Sequence, residues 1–145
     1  MEKKMMEIQT GSAEETFEAG RRMGAAAQRG EVYALLGDLG AGKTVFAKGF
    51  AAGVGVRETV SSPTFTILQI YEDGRLPLYH FDVYRIADPE EMFEVGFEEY
   101  LSGQGVCLVE WAELVRELMP ENTRTITIEK DPSKGMDYRK ITLCG

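Results

Sequence analysis

The sequence predicts a three-layer α/β sandwich with a largely parallel central sheet and antiparallel additions, and three observations predict it. Short strand-like segments alternate with helical ones along the 145 residues, which is the order of an α/β protein. The apolar run Val32 to Leu36 passes through a glycine-rich loop directly into a helical stretch. Two pairs of β-branched or aromatic segments flank turn signals and add hairpins to that core. The length suits one domain, residues 1–145, too small for a second catalytic unit.

The elements follow in order. Met5 to Gln9 reads as a short first strand. Ser12-Ala13-Glu14-Glu15 is a capping-box pattern opening a helix through Gln28, which Gly30 stops; Phe17, Ala19, Met23 and Ala27 supply its loosely buried face. Val32 to Leu36 is a buried strand, and Lys43 to about Val54 a helix ended by Gly53 and Gly55. Residues 56–63 are polar and carry Ser61-Ser62-Pro63, a connection. Thr64 to Glu72 and Leu76 to Arg85, around Asp73-Gly74, predict a hairpin. Asp88 suits an N-cap with Pro89 at the first helical position, and Gly96 interrupts the acidic helical stretch that follows. Val106 to Val109 is apolar at every position and reads as a central strand ending at Glu110, with a helix running on to Met119. Thr123 to Glu129 and Tyr138 to Leu143 pair as strands across Asp131 to Gly135.

The loop between the second strand and its helix, Gly37-Asp38-Leu39-Gly40-Ala41-Gly42-Lys43-Thr44, is a complete phosphate-binding loop and specifies a P-loop NTPase-like sandwich. Its glycines reach backbone angles closed to other residues, so successive N–H groups can turn onto one anion. The helix that follows directs its positive end at the same place. Lys43 is placed to reach the β- and γ-phosphates, and the Thr44 hydroxyl to ligate magnesium. The ligand class is therefore a nucleotide polyphosphate with Mg2+. A guanine-specific site of the GTPase kind needs an Asn-Lys-x-Asp segment, yet the single asparagine, Asn122, precedes Thr123. ATP/ADP is favoured.

A formal net charge of −8 argues against free-standing contact with nucleic acid, because phosphate neutralisation needs clustered Lys and Arg. No run of about 18 apolar residues offers a membrane span, and the N-terminal stretch lacks a secretory apolar core. Cys107 and Cys144 form neither a metal spacing nor a disulfide framework. These features predict a cytoplasmic protein. The acidic run Glu90, Glu91, Glu94 suits a solvated helix face or a docking surface for a basic partner.

Turnover needs an acid near magnesium and a group that orients the attacking oxygen. Two strand-end carboxylates compete. Glu110 suits the magnesium side, since ligands of α/β sheets sit beyond the carboxyl ends of central strands. Asp82 ends a more mixed run, which predicts an outer strand or an edge of the site, and it suits water orientation or the metal side instead. His80, the single histidine, shares a strand face with Asp82; a base and a buried core histidine both remain open. Trp111, the single tryptophan, suits stacking on the base or core packing.

Five linked motifs, the loop 37–44, Ser-Pro-Thr-Phe (62–65), His-Phe-Asp-Val-Tyr-Arg (80–85), Asp-Pro-Glu-Glu (88–91) and Val-Glu-Trp (109–111), resemble the TsaE family in order over residues 10–111. These are small bacterial ATPases of tRNA threonylcarbamoyladenosine biosynthesis. The resemblance implies slow ATP hydrolysis alone, partners TsaB and TsaD that carry the tRNA contact, and a role in resetting their complex between cycles. It implies that Lys43 and Thr44 hold phosphate and magnesium, that Glu110 is the magnesium-side acid, that Asp82 is the catalytic acid and that Trp111 lies next to the base. It further implies that Ser61 to Phe65 form a switch-like loop in which Thr64 senses the γ-phosphate, and that Ser12 and Ala13 border the adenine. The tail from Lys130 follows the family weakly, which leaves Arg139 without an assigned role. Other readings of the same motifs are a small kinase and a nucleotide-dependent interaction switch. Scattered arginines and the lack of a lid insertion speak against the kinase.

Overall fold

The computed structural model describes residues 5–37, 40–60, 67–84 and 86–145. Asp38, Leu39 and the Ser61 to Phe65 segment with Thr64 lie outside them. Seven strands form one sheet in the order β1-β7-β6-β2-β5-β4-β3, where β1 is Met5–Thr10, β2 Val32–Leu36, β3 Leu68–Tyr71, β4 Leu78–Asp82, β5 Val106–Glu110, β6 Arg124–Lys130 and β7 Arg139–Cys144. The four inner strands β6, β2, β5 and β4 are parallel, and β3, β7 and β1 are antiparallel additions. This is the predicted architecture. Asp82, expected on an outer strand or at an edge of the site, ends β4, which lies between β5 and the last strand β3. The mixed composition of β4 arises because His80 replaces an apolar residue at a buried position.

Helices cover both faces. On one, α1 (Ala13–Ala26) and α2 (Lys43–Val54) pack over Tyr33, Leu35, Leu78, Leu108, Ile126 and Ile141. On the other, α3 (Glu91–Glu94), α4 (Phe97–Leu101) and a 3-10 helix, Ala112–Leu118, cover Val32, Ala34, Phe81, Cys107 and Val109. The strict alternation along β2 and β5 divides their side chains between these two cores.

The first two helices approach unusually closely. A Cβ built on Gly20 or Gly24 of α1 would lie 2.3 Å from the Phe46 carbonyl oxygen or 2.0 Å from that of Phe50. On α2, Gly49 and Gly53 would meet the carbonyl oxygens of Phe17 and Arg21, each at 2.1 Å. Two glycine pairs, each spaced by four residues, thus form the facing surfaces, and backbone packs on backbone.

Several ends differ from the sequence reading for local reasons. Ser12 caps α1 as predicted, accepting from the Glu15 N–H at 3.1 Å, but the Glu15 carboxylate accepts from the Gly11 N–H and not from that of Ser12. The helix stops at Ala26, before Gln28, because Arg75 from the β3–β4 turn donates to the carbonyls of Gly24, Ala25 and Ala27. Carbonyls at a helix end lack partners within the helix, and that of Gly24 also accepts from the Ala27 N–H at 3.2 Å. Asp88 turns its carboxylate to Glu90 N at 3.0 Å, so α3 begins at Glu91. The expected helix through Met119 is a 3-10 helix broken at Val115, with Ala112 and Val115 buried three residues apart.

Candidate functional site

The carboxyl ends of β2, β5 and β4 meet at one edge of the sheet, where α2 begins. Gly37 leaves β2 with a φ of 154°, and its Cβ position is blocked by the Ile128 carbonyl oxygen at 2.8 Å. A side chain there would push β6 away from the loop. Gly42 takes a left-handed conformation, φ 98°, directly before the first turn of α2.

Lys43 is the first residue of α2 and only 7% exposed. Among the described residues its ammonium is a buried side-chain polar atom without a hydrogen-bond partner. It lies instead 3.7 Å from the centroid of the Trp111 ring. Cation–π attraction of about 1–2 kcal/mol holds it there, less than the several kcal/mol that burying an ammonium costs. The surplus is what an anionic ligand would recover.

Trp111 stands directly after β5 in a left-handed conformation, φ 62°, the one non-glycine residue with positive φ among the described residues. Such a backbone costs about 1 kcal/mol and turns the indole back over the loop. Tyr84 packs on the indole at 4.7 Å between ring centroids. Lys43 and Tyr84 therefore already occupy Trp111, and stacking of a base would have to displace one of them.

Asp82 and Glu110 are paired residues of β4 and β5 in the parallel register. Both belong to the sheet face covered by α2, as does His80. Glu110 is 3% exposed, and its Oε2 lies 2.6 Å from Nε2 of the buried His80, which donates to the carboxylate. Asp82 is half-buried and accepts from the Tyr84 N–H at 3.0 Å. Burial pushes its carboxyl above the ordinary aspartate range and Glu110 adds to this, while the Tyr84 N–H, His80 and Lys43 oppose it.

An acid with a raised folded pKa favours folding below its unfolded pKa, and this contribution is lost as pH rises through the folded value. Asp82→Asn is therefore expected to raise the melting temperature at pH 7 and leave it unchanged near pH 3. Thermal denaturation across that range checks this, and an equal effect at both ends would contradict it.

A cleft of about 500 Å³ is lined by Gly40, Gly42, Lys43, Thr44, Asp82, Tyr84, Glu110, Trp111 and Arg139. The structure thus brings the predicted loop, both acids and the tryptophan to one cavity, with His80 behind Glu110. Ala41 adjoins through its carbonyl, which accepts from Arg139 Nε at 2.8 Å. Arg139, left without a role by the sequence, also donates to the carbonyls of Met136 and Tyr138 and so ties β7 to the loop. Its contact joins residues 98 apart, and no local pattern announces it. A smaller recess adjoins the cleft through Gly42, Val45 and Arg139, and reaches Ala13, Thr16 and Asp137.

An unpartnered buried ammonium, a loop that admits no side chain at Gly37, and hydroxyl and carboxylate oxygens at one cavity fit a polyphosphate with a hard divalent cation. Among the described residues no three His, Cys, Asp or Glu side chains converge to hold a metal by themselves. That suits magnesium, which is commonly held by one or two protein groups together with substrate phosphates.

A mostly parallel sheet whose central strand runs into such a loop places the chain among P-loop α/β proteins. Comparison with known proteins narrows that class. The family model described as threonylcarbamoyl adenosine biosynthesis protein TsaE matches residues 10–141, and the chain belongs to the TsaE family. It is 50% identical over 139 residues to the tRNA threonylcarbamoyladenosine biosynthesis protein TsaE of Bacillus subtilis (strain 168), covering 96% of this chain and 85% of that one. The protein of the same description from Treponema pallidum (strain Nichols) is 48% identical over 81% of this chain and 86% of its own. The crystal structure of Bacillus subtilis YdiB superposes with a TM-score of 0.85 at 44% identity, over 100% of this chain and 88% of the other. The family is one of tRNA threonylcarbamoyladenosine biosynthesis. No helix among the described residues is long and apolar enough to cross a membrane.

Proposed function

We propose that this protein binds ATP with Mg2+ and hydrolyses it as the nucleotide-driven component of tRNA threonylcarbamoyladenosine formation, acting in the cytoplasm on a complex of TsaB and TsaD. The observation that carries this reading is the Lys43 ammonium, buried without a hydrogen-bond partner beside Asp82 and Glu110 in the cleft that follows β2. A buried cation of this kind suits a transient anion.

Thr44 and Glu110 would hold the magnesium ion, which when bound neutralises charge on the terminal phosphates. Backbone N–H groups of the loop, Asp38 and Leu39 included, would cradle the phosphates, with Lys43 at the β- and γ-positions. Asp82 would orient the attacking water across the cleft and accept its proton. With Lys43 3.7 Å from its ring, Trp111 would stand beside the terminal phosphates, and the base would lie toward Ala13, Thr16, Val45, Asp137 and Arg139, against a recess of about 60 Å³ that is too small to enclose it. The family resemblance implies Trp111 beside the base instead. The net charge of −8 fits a protein that reaches tRNA only through its partners.

The test is steady-state ATPase activity of the chain alone and with TsaB and TsaD, with Lys43→Ala and Glu110→Ala as controls. Low activity alone, stimulation by the partners and loss in both variants are expected. No binding and no change in turnover with the partners would overturn the assignment to that complex. Equal affinity for GTP would overturn the choice of adenine.

A further inference from the structure

The ion-binding reading assigns Glu110 a task that its own surroundings make difficult. Its side chain is only 5% exposed, and it ends a strand that is buried at every position. A carboxylate on a short flexible stem in such a place has several rotamers, each aiming its oxygens differently. One of its oxygens is nevertheless engaged: His80 Nε2, from the neighbouring strand, lies 2.6 Å from Oε2.

The register makes this contact a diagonal one. Asp82 is directly opposite Glu110 across the β4–β5 pair, while His80 is opposite Leu108. His80 and Asp82 share a face because they are two residues apart on β4. The imidazole therefore reaches Glu110 from behind, and Asp82 and the cleft lie ahead of it. His80 itself is 1% exposed and does not line that cleft, so it cannot meet a ligand directly.

We propose that His80 is a positioning residue for the magnesium acid: its Nε2–H fixes Oε2 of Glu110 so that the remaining oxygen is presented to the cation beside Thr44. Partners of this kind commonly change metal affinity by about 10- to 100-fold when removed. The inference rests on the reading of Glu110 as the magnesium-side acid, and the experiment separates the two.

The probe is ADP binding followed by Trp111 fluorescence, with and without Mg2+; one tryptophan in the chain makes the signal unambiguous. Two variants differ by a single methylene. His80→Gln carries an amide nitrogen at about the reach of Nε2, and His80→Asn carries the same amide too short to touch Oε2. Melting temperatures establish that both are folded, and Glu110→Ala is measured in parallel.

The expected result is that His80→Asn raises the Mg2+ concentration needed for half-maximal enhancement of ADP binding by about 10-fold, with ADP affinity in EDTA within about 2-fold of wild type. His80→Gln should restore most of that response. The double variant His80→Asn/Glu110→Ala should be no worse than Glu110→Ala alone, as expected for residues acting through one contact. A wild-type Mg2+ response in His80→Asn, or equal loss in both amide variants, overturns the role of His80. An undiminished Mg2+ response in Glu110→Ala overturns the reading of Glu110 itself.

Discussion

Lys43→Met is expected to remove nucleotide binding while leaving the free protein no less stable than wild type. The lysine ammonium would make charge-assisted bonds to two phosphates, each worth about 1.5–3 kcal/mol. Their loss corresponds to a fall in affinity of about 100-fold or more. In the free protein the balance is different. The ammonium is buried with no hydrogen-bond partner and is held against Trp111 at 3.7 Å. Methionine has a similar length, carries no charge to desolvate, and its sulfur makes its own contact with an aromatic ring, worth about 0.3–1.5 kcal/mol. Glu110 retains His80 as its partner in the variant. Calorimetric titration with ADP and thermal denaturation without nucleotide measure the two effects separately. A clearly lower melting temperature would show that attraction to Asp82 and Glu110 outweighs the burial of the charge.

The second large effect is on stability. Gly24→Ala places a methyl group 2.0 Å from the Phe50 carbonyl oxygen, an overlap that only separation of α1 from α2 can relieve. Overpacking of this kind costs about 3 kcal/mol, against about 1 kcal/mol gained from the higher helix propensity of alanine. A net loss of about 2 kcal/mol lowers the melting temperature by roughly 4–8 °C in a domain of this size. Gly24→Ala combined with Gly49→Ala should lose more than either alone but less than their sum, because one separation of the helices relieves both overlaps. Because Lys43 begins α2, ADP affinity should fall with it. Unchanged melting in the double variant would show that the helices can separate freely.

These two residues also mark how far the sequence could be read. Lys43, Thr44 and the glycines of the loop announce themselves because a phosphate is wrapped by consecutive N–H groups, so its determinants must be contiguous. The parallel core was legible for a similar reason: Val106 to Val109 of β5 are all apolar because both faces of the strand are covered. Glu110 and Asp82 could be placed at strand ends, but the order of those strands in the sheet could not be read from them. Neighbours across a sheet are not written in either strand.

The glycine pairs at 20 and 24 and at 49 and 53 were not legible as a packing surface, and Gly53, expected to help end α2, lies inside it. Their meaning depends on which helix faces which. The bonds from Arg139 to Ala41 and from Arg75 to the end of α1 left no local trace, since the carbonyls that accept them come from a distant part of the chain. The ring of Trp111 is a further case: adjacency to Glu110 left base stacking and core packing both open, and the contact of the ring with Lys43 could not be read from it.

The sequence by itself determined the fold class, the glycine-rich loop between β2 and α2, the two candidate acids and, through five ordered motifs, the family. Those features are periodic or contiguous, and local physics is enough to read them. Only the tertiary structure decided that His80 lies behind Glu110, that Trp111 covers the lysine, and that Arg139 holds the loop from the last strand. Each of those is a contact of one donor or one ring across the sheet, set by register and packing between segments far apart in the chain.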